Sequence, residues 1–370
     1  MGIYEELGVR RLINANATLT RLGGSLLAPG VAAAMEEAGA SFVELESLQR
    51  AVGAEIARLT HNEACYVSSG AAAALTLATA AALTGTDPAL RARLPFTDGM
   101  RNEVIVHRHT RVGYDFAVRM VGVRLVEIGE PGRETTAAEL EAAITPRTAG
   151  FFLFPRCLEE RGELSIETAA EICRPRGIRV VVDAAAQLPP RSNLWDFTRR
   201  GADAALFSGG KGLRGPQSSG LILGRRDFVE ACAFHGPPSA YIGRGMKVGK
   251  EELCGILAAL RWYLNHDEET ELAFWETIVE RVIAEVGSLP GVTARRIWPS
   301  EAGQPVPRAE LTLDEAALGR TRDAVHAALL QGDPMVDLAA GPGTTLIVNP
   351  QTLYPEEIDP LITRLRAVLT

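Results

Sequence analysis

The sequence predicts an α/β protein, with a large domain on a mostly parallel sheet and a smaller α+β domain after it. Three features carry this expectation. From residue 103 to about 200, short apolar runs alternate with helical patterns, as strands do in a parallel sheet covered on both faces. Before them, EACYV runs through SSG into a long Ala-rich stretch from Ala71 to Leu83. Near residue 246 the pattern changes to two long helical segments, then short strands interleaved with helices.

Along the chain, residues 1–35 read as an irregular N-terminal arm, 36–245 as the large domain and 246–370 as the small domain. A helix is expected over roughly 31–60, interrupted near Gly39 and Gly53. The expected strands are EACYV, EVIV, VRLVEI, GFFLF, IRVVVD, DAALF and GLILG, with helices over 113–120, 136–144, 166–175 and 193–200. In the second region EELCGILAALRWYLNHDEE and Leu272–Val286 read as consecutive helices. Strands follow near VTARRIW, RAELTL and TTLIVN, with helices near 318–331 and 355–368.

Composition narrows the function. With 370 residues, 46% of them hydrophobic and 23% charged, the chain can bury a large core without disulfides or metal. The net charge of −8 argues against a broad nucleic-acid surface. Cys65, Cys157, Cys173, Cys232 and Cys254 form no CxxC or Cys/His cluster, so they read as reduced packing residues, with no metal site expected. The N-terminus lacks the pattern of a signal peptide, and the apolar stretches are broken well short of a membrane span. A cytoplasmic location is expected.

Three sites stand in an order that suggests chemistry. Ser68-Ser69-Gly70 occupies a strand-to-helix turn, where free N–H groups, including that of Ala71, favour an anion. Asp183 ends the apolar run IRVVVD, and Lys211 follows in LFSGGKGLRGPQSSG. All three fall at the carboxyl ends of strands, where open parallel sheets bind ligands. A lysine amine in a partly desolvated pocket is a nucleophile. A strand-end acid can keep a pyridinium nitrogen protonated, and Ser208 adds a hydroxyl beside the lysine. A Walker loop would need Gly at 205 and Ser or Thr at 212, where this chain has Ala205 and Gly212.

On LINANATLTRLGGS, YVSSGAAAAL, HRHTRVGYDFAVRMVG, VVVDAAAQLPP, FSGGKGLRGPQSSGLILGR and IGRGMKVGKEEL, the chain resembles the fold-type I pyridoxal-phosphate enzymes. Within them it resembles the group related to selenocysteine synthase and D-glucosaminate-6-phosphate ammonia-lyase. The last two segments favour the ammonia-lyase branch. The resemblance implies that Lys211 carries pyridoxal 5′-phosphate as an internal aldimine and that Asp183 contacts the ring nitrogen. It places Ala185 under the ring and makes His109, in the basic run His107, Arg108, His109 and Arg111, the candidate for its other face. Gln187 is grouped with the cofactor contacts. Arg244, with Lys247 and Lys250, is the candidate for a substrate carboxylate or distal phosphate; a shared helix face for the two lysines requires an early helix start. Asn14, Asn16 and Thr18 are candidates to reach the site from the arm. The chain departs from the group in NANAT, where relatives tend to have Gly before the Thr, and in His61-Asn62, where a Thr-Gly turn is common.

The expected activity is a lyase on a 2-amino-3-hydroxy acid or amino-sugar acid. Lys211 takes the Cα proton, Lys211 or His109 assists loss of the β-hydroxyl, and a 2-keto acid and ammonia result. Racemisation, retro-aldol cleavage, selenium transfer on seryl-tRNA and a non-catalytic cofactor-binding regulator are the alternatives. The resemblance also implies at least a homodimer.

Overall fold

The seven apolar runs expected between residues 63 and 224 are the seven strands of one sheet. In the computed structural model, which describes residues 2–155 and 162–370, their order is Ala64–Ser68, Gly220–Gly224, Ala204–Ser208, Arg179–Asp183, Thr148–Leu153, Glu103–His107, Arg124–Ile128. Gly220–Gly224 runs antiparallel to both its neighbours; the other adjacent pairs are parallel. Ala64–Ser68 and Ala204–Ser208 therefore point the same way, and Ser68 and Ser208 both stand opposite Gly220. The unbroken apolar runs follow from burial on both faces. Successive residues alternate between two cores: Ile105, Phe151 and Val182 pack on one side, Val106, Phe152 and Val181 on the other.

These strands belong to a larger compact unit, Ser25–His266 with Glu301–Gln304. The Ala71–Thr84 helix is buried almost all round, which is why it carries no polar face. The helix expected over 31–60 is two, Val31–Gly39 and Leu45–Leu59. The break after Gly39 is there; the one at Gly53 is not. Gly53 stays helical, and a Cβ on it would collide with the Cys65 carbonyl, so this glycine serves close approach of helix and strand. The 113–120 segment is shorter than expected, a 3-10 turn Gly113–Asp115 and the single helical turn Phe116–Arg119. The helix near 318–331 starts at Arg322, after the short Glu315–Leu318 turn.

The helix Lys250–Asn265 places Leu253, Ile256, Leu260 and Tyr263 in the core of the larger unit. The larger unit accordingly runs to His266, past the expected boundary at 246. The smaller unit comprises Met1–Gly24, Asp267–Ser300 and Pro305–Thr370. Its sheet has the order Leu12–Ala15, Met335–Ala340, Thr345–Val348, Arg308–Leu313, Val292–Ile297. The first pair is parallel and the others antiparallel.

Two of these strands were not expected. Leu12–Ala15, Leu-Ile-Asn-Ala, shows no apolar–polar alternation, and Met335–Ala340 carries a charge at Asp337, a residue with no exposed surface. Part of the expected arm is thus a sheet strand. Asp337 pairs with Arg21, Nη1 lying 2.6 Å from Oδ2, and its Oδ1 accepts from His326 Nε2 at 3.1 Å and, more distantly, from Asn16 Nδ2 at 3.4 Å.

Among the described residues no helix is long and apolar enough to cross a membrane. The described cysteines Cys65, Cys173, Cys232 and Cys254 are free thiols; Cys157 lies outside the described residues. Burial pushes the Cys173 thiol up to about 12 and those of Cys65 and Cys232 higher still, as expected of packing residues.

Candidate active site

The candidate site residues stand at the carboxyl ends of the Ala64–Ser68, Arg179–Asp183 and Ala204–Ser208 strands of the larger sheet. After Ser68 the chain turns through Gly70, whose φ of 141° and ψ of 167° only glycine adopts readily. The Ser68 hydroxyl donates to the Gly70 carbonyl at 2.9 Å. No side chain caps the helix that begins at Ala71, so its N-terminus keeps its electropositive character. The turn rests on Gly220: a Cβ there would lie 2.7 Å from the Gly70 carbonyl carbon and 3.0 Å from the Ala71 nitrogen. Ser208, across Gly220 from Ser68, is half-buried.

Asp183 is the last residue of its strand. Burial pushes its carboxyl up to about 6, opposed by the Ala185 N–H that donates to it at 3.1 Å and by the charge of Lys211. Lys211 lies in the loop between Ser208 and Gly220. Burial draws its amine below the usual lysine range, while Asp183 and then Glu301 oppose that shift. Its Nζ stands 6.0 Å from the centre of the Tyr114 ring. The glycines beside Lys211 have a further use. A Cβ on Gly210 would lie 2.6 Å from Gln217 Oε1, and one on Gly212 would lie 2.7 Å from the Leu188 carbonyl. They let the lysine loop pack tightly against its supports.

His109 sits in the 3-10 turn Arg108–Thr110 that follows the Glu103–His107 strand. Its ring centre is 5.6 Å from that of His107. His107 is buried, and its Nε2 accepts the Leu164 N–H at 3.1 Å, which puts its proton on Nδ1. Burial, reinforced by His109, pushes His107 down to about 4. The surrounding basic run is neutralised locally: Arg108 pairs with Glu127 and Glu130, and Arg111 with Asp115 and Glu127.

The other expected site residues make contacts of their own. Gln187 spends its amide on the Pro155 and Ala302 carbonyls, at 3.1 and 2.6 Å. Arg244 and Lys247 are exposed and, among the described residues, not ion-paired. The helix begins at Lys250, beyond Lys247, so the two lysines share no helix face. Lys250 instead donates to the Ala38 carbonyl at 2.7 Å and pairs with Glu251. Asn14, Asn16 and Thr18 belong to the smaller unit. There Asn16 donates to the Leu338 carbonyl at 3.0 Å, and Asn14 closes its own turn by accepting the Asn16 N–H. Asn62 ties the Thr60 turn to the Leu194 carbonyl.

Sequence reasoning missed Tyr114 and the segment Glu301–Gln304. The second lies within the small domain as expected, yet it belongs to the larger unit.

This fold, with a half-buried strand-end acid, a desolvated lysine in the following loop and an uncapped helix behind a glycine turn, is that of the fold-type I class. The model of the family "SelA: L-seryl-tRNA selenium transferase" matches residues 158–286. The chain is 33% identical to a 5′-C-glycyluridine monooxygenase-decarboxylase of a Streptomyces species, over 99% of this chain and 92% of the relative. It is 32% identical to the D-glucosaminate-6-phosphate ammonia lyase of Salmonella typhimurium, over 99% of this chain and 97% of the relative. A solved structure of D-glucosaminate-6-phosphate ammonia-lyase superposes with a TM-score of 0.84 at 31% identity, covering 100% of this chain and 98% of that one. The chain belongs to the SelA and ammonia-lyase group of fold-type I pyridoxal-phosphate enzymes.

Proposed function

We propose that this protein is a pyridoxal 5′-phosphate-dependent lyase acting on a 2-amino-3-hydroxy acid or an amino-sugar acid, with a 2-keto acid and ammonia as products. The reading is carried by Asp183 at the carboxyl end of its strand, with the charge of Lys211 acting on it. A carboxyl pushed up to about 6 by burial gains most from a cationic partner, and an amine lowered by burial is ready to act as a nucleophile and base. The residues fit the cofactor. The Ser69–Gly70–Ala71 backbone, with Ser68 and Ser208, would hold the phosphate; Asp183 would hold the ring nitrogen, Ala185 and His109 its two faces, and Lys211 the carbonyl carbon. Gln187 contributes by holding the surrounding loops.

When bound, the cofactor supplies an electron sink for the substrate's Cα–H bond. Lys211 takes that proton as a neutral amine. The resulting ammonium, or His109, gives a proton to the departing β-hydroxyl. Water then replaces the amino nitrogen, and ammonia leaves. Arg244 is the proposed partner of the substrate carboxylate, with Lys247, Asn16 and Thr18 as further contacts. A cytoplasmic homo-oligomer, at least a dimer, completes the proposal. The identity to the ammonia lyase over nearly the whole chain supports elimination, and the acidic net charge weighs against tRNA as substrate.

A second reading follows from the equally similar Streptomyces relative, named a monooxygenase-decarboxylase: the same lysine and acid would serve an oxygen-consuming decarboxylation. The test starts with visible absorption of the purified protein with cofactor, before and after borohydride. A yellow band trapped as a reduced adduct on Lys211 by peptide mapping is expected, and Lys211→Ala should lose both adduct and turnover. No band, an adduct on another lysine, or near-normal turnover of Lys211→Ala overturns the assignment. Keto acid and ammonia formed without oxygen uptake identify the lyase. Oxygen uptake with carbon dioxide identifies the second reading. Deuterium exchange at Cα without keto acid would mean a racemase, aldehyde release an aldolase, and a tRNA gel shift at moderate salt the transferase.

A further inference from the structure

Lys211 opens a turn that closes on itself. The Arg214 N–H donates to the Lys211 carbonyl at 2.9 Å, and the Gly215 N–H returns to the Gly209 carbonyl at 2.8 Å. Between Lys211 and Arg214, Leu213 is fully buried in the core. The closure depends on Arg214, whose φ of 52° is left-handed; among the described residues other than glycine only His61 shares this. Glycine takes that conformation freely, and a residue with a Cβ takes it only at a cost. Two supports offset the cost. The Arg214 carbonyl accepts the Ala28 N–H at 2.7 Å. Its guanidinium lies 4.9 Å from the centre of the Trp262 ring, within reach of a cation–π contact. Trp262, on the Lys250–Asn265 helix, is itself stacked on His266 at 4.5 Å. On the other side of the lysine, the Gly210 carbonyl accepts the Ser25 N–H at 3.0 Å. The two carbonyls that bracket Lys211 are thus both tied to the segment 25–28.

We propose that Arg214 is a positioning residue for Lys211: its left-handed backbone fixes the turn that carries the lysine, and the stack of its guanidinium on Trp262 holds that backbone in place. Strain of this kind persists where the surroundings over-determine it. Here the surroundings are the Ala28 N–H, the Trp262 ring and the buried Leu213 side chain. Held in this way, the turn keeps the Lys211 amine in its desolvated pocket. That Lys211 is the reacting amine rests on the proposed function; the brace on its turn does not.

The test measures how often the turn opens. Full-length protein freed of cofactor is labelled with trinitrobenzenesulfonate at about pH 10, near the ordinary lysine midpoint. Peptide mapping gives the rate at Lys211, with exposed Lys247 as internal reference. Arg214→Ala keeps the backbone cost and loses the stack, so Lys211 labelling should rise roughly fivefold, the worth of an ordinary cation–π contact, with Lys247 unchanged. Trp262→Leu removes the stack from the other side and should raise it in the same way. Arg214→Gly also has nothing to stack, but it takes the left-handed turn freely, so its Lys211 rate should fall back toward wild type. A wild-type Lys211 rate in Arg214→Ala or in Trp262→Leu overturns the proposal. A rise shared by Lys247, or one not reversed in Arg214→Gly, overturns it as well, because Arg214 would then only support the fold at large. Labelling reads Lys211 whether or not a cofactor binds there, so failure of the cofactor reading and failure of this one are separate results.

Discussion

Gly220 lies against the Gly70–Ala71 peptide so closely that a side-chain carbon on it would stand 2.7 Å from the Gly70 carbonyl carbon. It is also the residue opposite both Ser68 and Ser208. Backbone is crowded on both sides, with the Phe207 carbonyl at 2.9 Å from the same position, so neither neighbour can yield cheaply. Gly220→Ala should displace the turn at the proposed phosphate site. Overpacking of this kind costs roughly 1–3 kcal/mol, and a similar loss in cofactor binding is a weakening of about tenfold or more. Titration of cofactor by absorbance checks this; unchanged affinity would mean the turn does not hold the phosphate.

Asp183 should make the cofactor-free protein pH-sensitive in the sense opposite to an ordinary surface acid. Its carboxyl is raised from 3.8 to about 6 by burial, so the folded state binds its proton more tightly than the unfolded chain. The resulting stabilisation is complete below pH 4 and is lost as pH rises through 6. Asp183→Asn, neutral at every pH, should gain on the order of 3 kcal/mol relative to wild type at pH 7 and only about 1 kcal/mol at pH 4.5. Thermal melts of the cofactor-free proteins at the two pH values measure it. The same variant should lose most of the stabilisation that cofactor gives wild type, because the ring nitrogen has no anion to pair with.

The larger unit was legible because its strands are buried on both faces and announce themselves as apolar runs between glycine-rich turns. Asp183, Lys211 and the SSG turn stood out for the same reason: each interrupts such a run with a residue that its burial does not explain. What stayed hidden depends on contacts remote in sequence. Leu12–Ala15 is a strand only because Met335–Ala340 lies alongside it. The segment Glu301–Gln304 belongs with the larger unit through Gln187 and Gln304. The reading of Lys247 and Lys250 as one helix face failed because the first helical residue is Lys250.

His107 gives a prediction with two parts of opposite sign. Its Nε2 is the acceptor for the buried Leu164 N–H, so His107→Leu should cost roughly 1–3 kcal/mol at pH 7. Its folded-state value is lowered from 6.5 to about 4, so the unfolded chain binds its proton first. The stability it contributes is present above 6.5 and is lost as pH falls toward 4. His107→Leu should therefore lose less stability than wild type between pH 7 and pH 5, by roughly 2 kcal/mol. Denaturant unfolding at both pH values decides the matter. An equal pH dependence in the two proteins would show that His107 does not stay neutral in the fold.

The Arg21–Asp337 pair should be asymmetric. They approach to 2.6 Å, but the Arg21 side chain is 57% exposed and that of Asp337 1%. Removing the arginine strands a carboxylate that cannot return to water, leaving it His326 at 3.1 Å and the distant Asn16. Removing the acid's charge lets Arg21 turn outward and rehydrate. Breaking a buried pair from the wrong side costs roughly 3–5 kcal/mol, so Arg21→Ala should fall near the lower end of that range. Asp337→Asn, which keeps the shape and a hydrogen-bonding oxygen, should cost no more than about 1 kcal/mol. In the double variant the stranded charge is gone, and its stability should return close to that of Asp337→Asn alone. Unfolding curves for the three variants test the asymmetry; equal losses in the two single variants would mean that the pair, and not the buried acid, sets the energy.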